Sequence, residues 1–479
     1  MTWFAGSGHH KGPRAHDRLI TVSQAKFRTV RHCMRDIQKS FMTGSDQRRL
    51  VAGTLISFLI QGIGAGLIFL SEILMARVLG AGGYGLFATV MAWLQVLVMV
   101  ALLGSNHLLL RFVPTYVATG EWPLLRGLLR HCGRISLAVG AGIFLAAALL
   151  LSGLGERVAA ETRWAFLIGM ATLPVAALSL QRQAILRGLH RVAVALSPEL
   201  IARPALLMLL AAGLAWGLGR AVTAPVALAM NGVALIAAYL LGRYWQAAAM
   251  PAEVRAAPPA ARSREWLRIA VPLFLIAGAQ LLIVRMDIML LGALAGHEDA
   301  GRYAAASRVA DLIVFALASA NVIVAPLIAG LHARGDVDGL QRMLAALAKG
   351  VLLLTVPLVV VVGLFGRPIL GLFGAGYEVA YLPLLILVCG QVVNALSGPV
   401  DFVMSMTGQQ VRMLQILALA TGLNLVLNLA LIPVLGLVGA AIATASTTVF
   451  WNLCMRRVVR RRLGVDASVL VLLRGRGAG

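Results

Sequence analysis

Residues 52–106 read AGTLISFLIQGIGAGLIFLSEILMARVLGAGGYGLFATVMAWLQVLVMVALLGSN. Two apolar runs, 52–76 and 85–106, are separated here by a short glycine-rich stretch that begins at Arg77. Each run is long enough to cross about 30 Å of hydrocarbon as an α-helix. The runs are continuous rather than alternating, so they lack the pattern of membrane β-strands. The stretch therefore predicts two consecutive transmembrane helices.

The same pattern continues through the rest of the chain. Of 479 residues, 60% are hydrophobic and 13% are charged, whereas soluble domains are about 25% charged. The sequence therefore predicts an all-α polytopic membrane protein with about 12 transmembrane helices and no large soluble domain. The remaining candidate spans lie near 133–152, 164–181, 200–217, 222–242, 266–291, 303–329, 344–365, 382–404, 413–433 and 436–455.

Basic residues outnumber acidic ones, with 42 Lys and Arg against 19 Asp and Glu and a formal net charge of +23. In a soluble protein this excess would indicate nucleic-acid binding. Here the basic residues lie mainly at the two ends and in the connections that follow even-numbered spans. By the positive-inside rule, both termini are predicted to be cytoplasmic, and membrane lipids rather than nucleic acid are the expected partners.

The four cysteines, Cys33, Cys132, Cys389 and Cys454, are scattered along the chain. They form neither a Cys-x-x-Cys pair nor a cluster with histidine, so their spacing indicates no zinc site and no disulfide framework. The sequence therefore predicts no metal centre and no cofactor.

The chain divides near its middle, where prolines and alanines interrupt the apolar pattern. This interruption separates two groups of six predicted spans. The predicted organisation is a basic cytoplasmic leader (1–50), a first lobe with spans one to six (51–246), a cytoplasmic linker (247–265), a second lobe with spans seven to twelve (266–456) and a basic cytoplasmic tail (457–479).

The two predicted lobes share a weak internal repeat. A Phe-Leu-Ile tripeptide occurs at 58–60 and again at 274–276, and Gly85 is followed by Gly301 at the same offset of about 216 residues. Because each lobe holds six spans, both have the same orientation in the membrane. The repeat predicts two lobes related by a parallel pseudo-two-fold axis, with a central cavity between them.

Residues 69–114 resemble the first two spans of polysaccharide-biosynthesis flippases, which belong to the multidrug/oligosaccharidyl-lipid/polysaccharide (MOP) exporter superfamily. A second resemblance is the turn at 186–191, LRGLHR, which follows the fourth predicted span. The likeness extends over about residues 50–456. The residues that carry it are Arg77, Gly80, Tyr84, Gly85, Arg111, Arg187 and Gly188.

This resemblance implies a MATE-like fold and transport rather than catalysis. The implied substrate is an oligosaccharide linked to undecaprenyl pyrophosphate, which becomes an O-antigen, capsule or exopolysaccharide unit. The implied location is a bacterial inner membrane, where the protein would move this substrate by alternating access. Polysaccharide assembly proteins are further possible partners.

Two other functions remain open on the sequence alone. A cation-coupled multidrug exporter of the same superfamily would also have twelve spans. A membrane glycan polymerase or ligase is the second alternative. Such an enzyme needs reactive groups on a sizeable external loop, and the longest predicted outer loop, near 366–381, carries only Arg367 and Glu378 as charges.

Charged residues inside the predicted spans are the main functional candidates. A charge at the centre of a membrane costs about 2.5–3.5 kcal/mol on insertion scales, so such residues usually face a cavity or a partner. We expect substrate-binding roles for Arg285, Arg308, Gln61 and Gln280. We expect the carboxylates Glu72, Asp287, Asp311 and Asp401 to couple transport to Na⁺ or H⁺.

The alternative for these charges is ion pairing within the membrane. Arg308 and Asp311 are three residues apart and share a helix face, so they are expected to pair. Arg285 is expected to pair with Asp287 or with Glu72 across helices. Because Arg285 and Asp287 are two residues apart, they are also predicted to point to different faces of one helix.

Overall fold

The computed structural model describes residues 44–469. The packing described below is that of residues 60–469, which belong to one compact unit. Residues 1–43 of the predicted leader and residues 470–479 of the predicted tail lie outside the described part. Side chains are described from residue 59 onward, and at residue 56, except for those of residues 156, 314–327 and 329.

Helices make up nearly all of the described chain, as the apolar runs predict. In the first half, residues 60–249, the helix that contains the predicted span 133–152 begins earlier than predicted. It starts at Trp122 and includes the basic residues that precede the apolar run. The helices are α1 (Gly44–Leu102), α2 (Ser105–Thr119), α3 (Trp122–Leu154), α4 (Ala160–Ala171), α5 (Leu173–Gly188), α6 (Val192–Ser197), α7 (Arg203–Ala212) and α8 (Ala224–Ala249).

The second half, residues 263–469, follows a short helix in the predicted linker. Its last helix continues past the predicted span at 455 to Leu463, with Arg460, Arg461 and Arg462 in the final turn. The linker helix is α9 (Ala252–Ala256), and the second half contains α10 (Ser263–Leu294), α11 (His297–Arg334), α12 (Val337–Gly371), α13 (Tyr381–Ser397), α14 (Val400–Met406) and α15 (Gln410–Leu463).

Nine helical segments of the described chain are long and apolar enough to span a membrane. Two of them, Leu59–Leu102 and Gln410–Leu463, are interrupted by non-helical backbone at Gly80 and Gly436. The prediction of an all-α polytopic membrane protein is confirmed. The number twelve and the six-plus-six repeat stay predictions, because length and composition alone define these segments.

The predicted linker packs against the first half. The Ala260 N–H donates to the carbonyl oxygen of Pro123 at 2.9 Å, and Val254 is buried. Immediately after the linker, Trp266 of α10 is fully buried and its indole N–H donates to the Tyr116 hydroxyl at 3.2 Å. Helix α10 therefore begins among helices of the first half although it belongs to the second.

The segment after α15 is held by Asp466. Its carboxylate accepts hydrogen bonds from Arg456 Nε and Nη2 at 3.0 and 2.9 Å and from the Ser468 N–H at 3.1 Å. Burial raises the pKa of Asp466, but the hydrogen bonds from Arg456 and Ser468 outweigh burial and lower it to about 2. The part of the predicted tail that follows α15 is therefore fastened to the end of that helix.

A large cluster of buried side chains joins the two halves. It includes Tyr84 and Val90 of α1, Leu228 of α8, Tyr303 of α11 and Leu384 of α13. Burial of apolar area contributes about 25 cal/mol per Å² where water is the alternative. Inside a membrane, close packing and polar contacts between helices take over this role.

The two halves make a close backbone contact where Gly85 and Gly301 cross. A Cβ atom on Gly85 would lie 1.6 Å from the carbonyl oxygen of His297 and 2.8 Å from the Gly301 nitrogen. A Cβ atom on Gly301 would lie 2.2 Å from the carbonyl oxygen of Ala81. Only glycine allows this backbone contact. The two glycines of the predicted repeat thus meet face to face.

We expect Gly85→Ala to destabilise the protein by about 1–3 kcal/mol or more, because the added methyl group overlaps backbone that has no rotamer with which to escape. The matched control is Gly82→Ala, since no described atom lies within 4 Å of a Cβ at that position. Thermal unfolding of both purified variants in detergent tests this difference. Equal melting temperatures for the two variants would show that the crossing is not required.

Candidate functional site

A cavity of about 290 Å³ lies beside the buried cluster that joins the halves. Its volume is at the lower end of the range for small-molecule sites. Its lining includes apolar side chains such as Met75, Phe87 and Leu207. Its charged and amide-bearing lining residues come from both halves: Glu72, Gln95, Glu199, Arg203, Asn231, Arg285 and Arg308.

Glu72 and Arg308 form an ion pair between the halves at this cavity. Arg308 Nη2 lies 3.1 Å from Glu72 Oε1, and the Tyr84 hydroxyl donates to Glu72 Oε2 at 2.7 Å. Tyr84 reaches Glu72 because the backbone of α1 leaves the helical conformation at Gly80, where φ is +69°. The expected pair of Arg308 with Asp311 is also present, at a longer distance of 3.8 Å.

Arg285 lines the same cavity with a different partner. Its Nε donates to the side-chain oxygen of Gln95 at 2.9 Å. The expected ion pairs of Arg285 with Asp287 or Glu72 are wrong: within the described part of the chain, Arg285 has no carboxylate within 4 Å. Glu72 is already engaged by Arg308. Asp287 points to another face of α10, as its spacing of two residues predicts.

Asp287 lies in a separate polar cluster of the second half. It is 3% exposed, and its carboxylate accepts hydrogen bonds from the Tyr303 hydroxyl at 2.6 Å, from Asn428 Nδ2 at 2.8 Å and from the Thr444 hydroxyl. Asn428 Nδ2 also donates to Asn424 Oδ1 at 3.1 Å. The break of α15 at Gly436 separates the two asparagines from Thr444 along the chain.

This cluster contains unsatisfied polar atoms. Asn428 Oδ1 and Asn424 Nδ2 are buried and have no hydrogen-bond partner among the described residues. The oxygen and nitrogen of an amide side chain are assigned from its hydrogen bonds. Rotating the amide of either asparagine by 180° would exchange the positions of these two atoms. One carboxylate, two amides and two hydroxyls are oxygen donors of the kind that hard cations prefer.

A third polar cluster lies in the first half, at the junction of α5, α7 and α8. Arg203 Nη1 lies 3.2 Å from Glu199 Oε2. Arg203 Nε and Nη2 donate to Asn231 Oδ1 at 3.3 and 3.1 Å. Glu199 is in turn contacted by Arg182. This cluster was not among the candidates from the sequence, although the i, i+4 spacing of Glu199 and Arg203 near a predicted span could have indicated it.

Of the eight predicted substrate-binding and ion-coupling residues, five are not part of the cavity lining: Gln61, Gln280, Asp287, Asp311 and Asp401. Gln280 precedes Arg285 by five residues, which places the two about 140° apart around α10. Gln61 is on the face of Glu72 but about 16 Å away along the axis. Asp401 lies in the first turn of the short helix α14. Their predicted roles stay predictions.

Four other residues that carry the sequence resemblance are Arg77, Arg111, Arg187 and Gly188. Arg77 Nε donates to a carbonyl oxygen at the end of α12 at 2.6 Å. A Cβ atom on Gly188 would lie 2.9 Å from a valine Cβ in α2. Arg111 and Arg187 are exposed. These four positions lie outside the lining of the cavity.

We expect the pair Glu72–Arg308 to be strongly coupled. Removing Arg308 leaves Glu72 without a cation, and removing Glu72 leaves Arg308 only the more distant Asp311 at 3.8 Å. Breaking an ion pair in this way costs about 3–5 kcal/mol for a buried pair and less for a partly exposed one. A double-mutant cycle with Glu72→Gln and Arg308→Gln, followed by unfolding of the purified protein, should give a coupling energy above about 1 kcal/mol.

The control is the surface pair Glu298–Arg302, in which Glu298 is 61% exposed. Exposed pairs typically contribute about 0.2–1 kcal/mol. A cycle with Glu298→Gln and Arg302→Gln should therefore give a smaller coupling energy. Equal coupling in the two cycles would contradict the assignment of Glu72–Arg308 as a contact that holds the halves together.

Known structures share the fold of this chain. An inward-facing multidrug resistance MATE transporter of the MOP superfamily is 16% identical, and the match covers 89% of this chain and 100% of that chain with a TM-score of 0.68. A MOP superfamily transporter from Pyrococcus furiosus is 16% identical, with coverage of 86% and 95% and a TM-score of 0.64. A search of curated protein sequences gives no match.

Two protein families match the sequence itself. The MatE family matches residues 263–430. The family described as polysaccharide biosynthesis protein matches residues 50–332, which is more than half of the chain. The resemblance first indicated by residues 69–114 is thus confirmed. The chain belongs to the polysaccharide biosynthesis protein family and is a polytopic membrane protein that shares the fold of the solved MOP superfamily transporters.

Proposed function

We propose that this protein is a flippase for an anionic lipid-linked oligosaccharide. The substrate class is an undecaprenyl-pyrophosphate-linked O-antigen, capsule or exopolysaccharide unit in a bacterial inner membrane, with both protein termini in the cytoplasm. The observation that carries the proposal is the charge of the cavity. Three arginines, Arg203, Arg285 and Arg308, line it against two carboxylates, Glu72 and Glu199.

The excess positive charge suits a pyrophosphate or an acidic sugar. Arginine presents several N–H donors in a planar fork, and charge-assisted hydrogen bonds to phosphate are stronger than neutral ones. Of the three arginines, Arg285 is the one without a carboxylate partner among the described residues, and Gln95 orients it at 2.9 Å. Arg285 is therefore the first contact we assign to the anionic headgroup.

The cavity would also lower the main free-energy cost of the transport step, which is the desolvation of the sugar headgroup. Sugar hydroxyls that enter hydrocarbon without partners cost several kcal/mol each. A polar cavity between the halves supplies partners for the headgroup, while the polyprenyl chain remains in the lipid. Membership in the polysaccharide biosynthesis protein family supports this substrate class.

We place the coupling ion at Asp287. The carboxylate, the amides of Asn424 and Asn428 and the hydroxyls of Tyr303 and Thr444 fit a bound Na⁺, and the buried unpaired Asn428 Oδ1 is the atom that a cation would satisfy. A proton on Asp287 is the other possibility. Because the cluster contacts both parts of α15 and helices α10 and α11, cation binding there would change how these helices pack.

A cation-coupled multidrug exporter is the second candidate function. It is favoured by the match of the MatE family to residues 263–430 and by the apolar part of the cavity lining, which includes Met75, Phe87, Met91 and Leu207. A cationic drug would face the excess of arginine, so the lining favours an anion. The solved Pyrococcus furiosus transporter is described as having reversed pocket polarity that suggests a different function.

The decisive experiment is glycolipid analysis of a deletion strain. We expect polyprenyl-pyrophosphate oligosaccharide to accumulate on the cytoplasmic side while surface polysaccharide is lost, and we expect the wild-type gene to restore both. The variant Arg285→Ala should restore less than about a tenth of surface glycan, because charge-assisted hydrogen bonds contribute about 1.5–3 kcal/mol.

The control for that experiment is Arg111→Ala, which removes an exposed arginine outside the cavity and should restore surface glycan fully. Immunoblots of membranes establish that both variants are inserted in equal amounts. Normal surface glycan in the deletion strain, together with altered drug accumulation, would reject the flippase and favour the exporter.

The coupling site is tested by ion-dependent stability. NaCl should raise the melting temperature of the purified wild-type protein relative to the same concentration of KCl, because a bound ion stabilises the folded state. The variant Asp287→Asn should lose this difference, and the control Asp311→Asn should keep it. A pH-dependent stabilisation that is independent of Na⁺ and lost in Asp287→Asn would assign the site to a proton. A Na⁺ effect that survives Asp287→Asn would place the ion elsewhere.

A further inference from the structure

We propose that Arg203 is an anion-binding residue of the cavity and that Glu199 is the internal carboxylate which the substrate anion displaces from it. This inference rests on the flippase function proposed above. It adds a residue of the first half to a site whose other arginines, Arg285 and Arg308, belong to the second half. An anionic headgroup bound to arginines of both halves would connect them.

The first step of the argument is the geometry of Arg203. Its side chain is 24% exposed and lines the cavity, and its guanidinium is already oriented for an anion. Asn231 holds Nε and Nη2 through one side-chain oxygen, while Nη1 faces the Glu199 carboxylate at 3.2 Å. Glu199 also lines the cavity. A carboxylate therefore occupies the position where a substrate phosphate would bind.

The second step concerns Arg182, which lies behind Glu199. Arg182 is 1% exposed, and its Nη2 lies 3.8 Å from Glu199 Oε1. The Ser179 hydroxyl also donates to Glu199 Oε1. Arg182 Nε and Nη1 have no hydrogen-bond partner within the described chain, although both atoms are buried. A buried guanidinium with unpaired N–H groups destabilises the folded protein in a poorly hydrated interior. Packing alone therefore does not explain why an arginine occupies position 182.

Helix α8 provides the space for this buried arginine. A Cβ atom on Gly242 would lie 1.9 Å from Arg182 Nη1, so any larger residue at 242 would displace the guanidinium. The arginine is thus held in place by the backbone of α8 on one side and by Glu199 on the other. It cannot follow Arg203 toward the cavity.

The third step is the consequence for Glu199. A carboxylate with one arginine partner would be left unpaired when that arginine turned to a substrate, at a cost of several kcal/mol. Glu199 has two arginine partners, and the immobile one remains. Arg203 can therefore exchange Glu199 for a substrate anion without leaving an isolated buried charge. The three residues together carry one net positive charge, which is what an anion would meet.

The other carboxylate of the cavity is arranged differently. Glu72 has one arginine partner, Arg308, and otherwise accepts a hydrogen bond from the Tyr84 hydroxyl. Moving Arg308 away from Glu72 would leave that carboxylate without a cation within 4 Å among the described residues. This difference makes Arg203 rather than Arg308 the arginine that is released to substrate.

The test measures binding of farnesyl diphosphate to the full chain in detergent by isothermal titration calorimetry at fixed ionic strength. We expect Arg203→Gln to weaken binding about 10-fold or more, as the loss of a charge-assisted contact implies. We expect Glu199→Gln to tighten binding several-fold, because the competing anion is removed. The control Arg220→Gln, which changes an exposed arginine in the loop before α8, should leave the affinity unchanged.

Melting temperatures separate binding from folding. Arg203→Gln should remain close to wild type, since Glu199 keeps Arg182. If Glu199→Gln fails to fold because Arg182 is left unpaired, the double variant Arg182→Gln/Glu199→Gln removes both charges and leaves Arg203 without its competitor. The double variant should bind farnesyl diphosphate at least as tightly as wild type.

Wild-type affinity in Arg203→Gln, or weakened binding in a folded Glu199→Gln or double variant, overturns the inference while the flippase proposal stands. If wild type does not bind farnesyl diphosphate although the deletion strain accumulates glycolipid, the inference alone again fails. If wild type does not bind and the deletion strain has normal glycan, the proposed function fails, and the inference fails with it.

Discussion

A charged side chain in a membrane interior must find a partner or water, and this requirement organises the centre of the protein. The pair Glu72–Arg308 meets it by joining α1 of the first half to α11 of the second. The pair depends on the contact of Gly85 with Gly301, which allows the two helices to approach. Tyr84, one residue before that crossing, completes the coordination of Glu72. The crossing and the ion pair therefore support one another.

Three buried or half-buried carboxylates of this protein have different partners, and the partners decide what each can do. Glu72 has one arginine and one tyrosine. Asp287 also has a tyrosine, but its other contacts are neutral amides and a hydroxyl, so its negative charge remains available to a cation. Glu199 lies between two arginines, so the surrounding positive charge remains available to an anion. The proposed cation site and the proposed anion-binding cluster thus lie in different halves of the chain.

The sequence predicted the helical membrane architecture and many of the polar positions, because apolar runs and isolated charges within them are visible without a structure. It also predicted that Arg285 and Asp287 diverge, since a helix turns about 100° per residue. It could not predict that Arg285 would bond Gln95, because that contact joins residues far apart in the chain. The asparagines around Asp287 were overlooked because a neutral amide in an apolar run attracts less notice than a charge.

The sequence by itself determined the class of protein: apolar runs must form helices in a membrane, since no other partner for the backbone is available there. The family resemblance of residues 69–114 also required only the sequence. The tertiary structure alone decided which charges neutralise one another. A span shows where an arginine lies along a helix but not which neighbouring helix supplies its partner. Arg308 pairs with Glu72, Arg203 pairs with Glu199, and Arg285 faces the cavity without a carboxylate partner among the described residues. Packing across helices, rather than spacing along them, sets these distances.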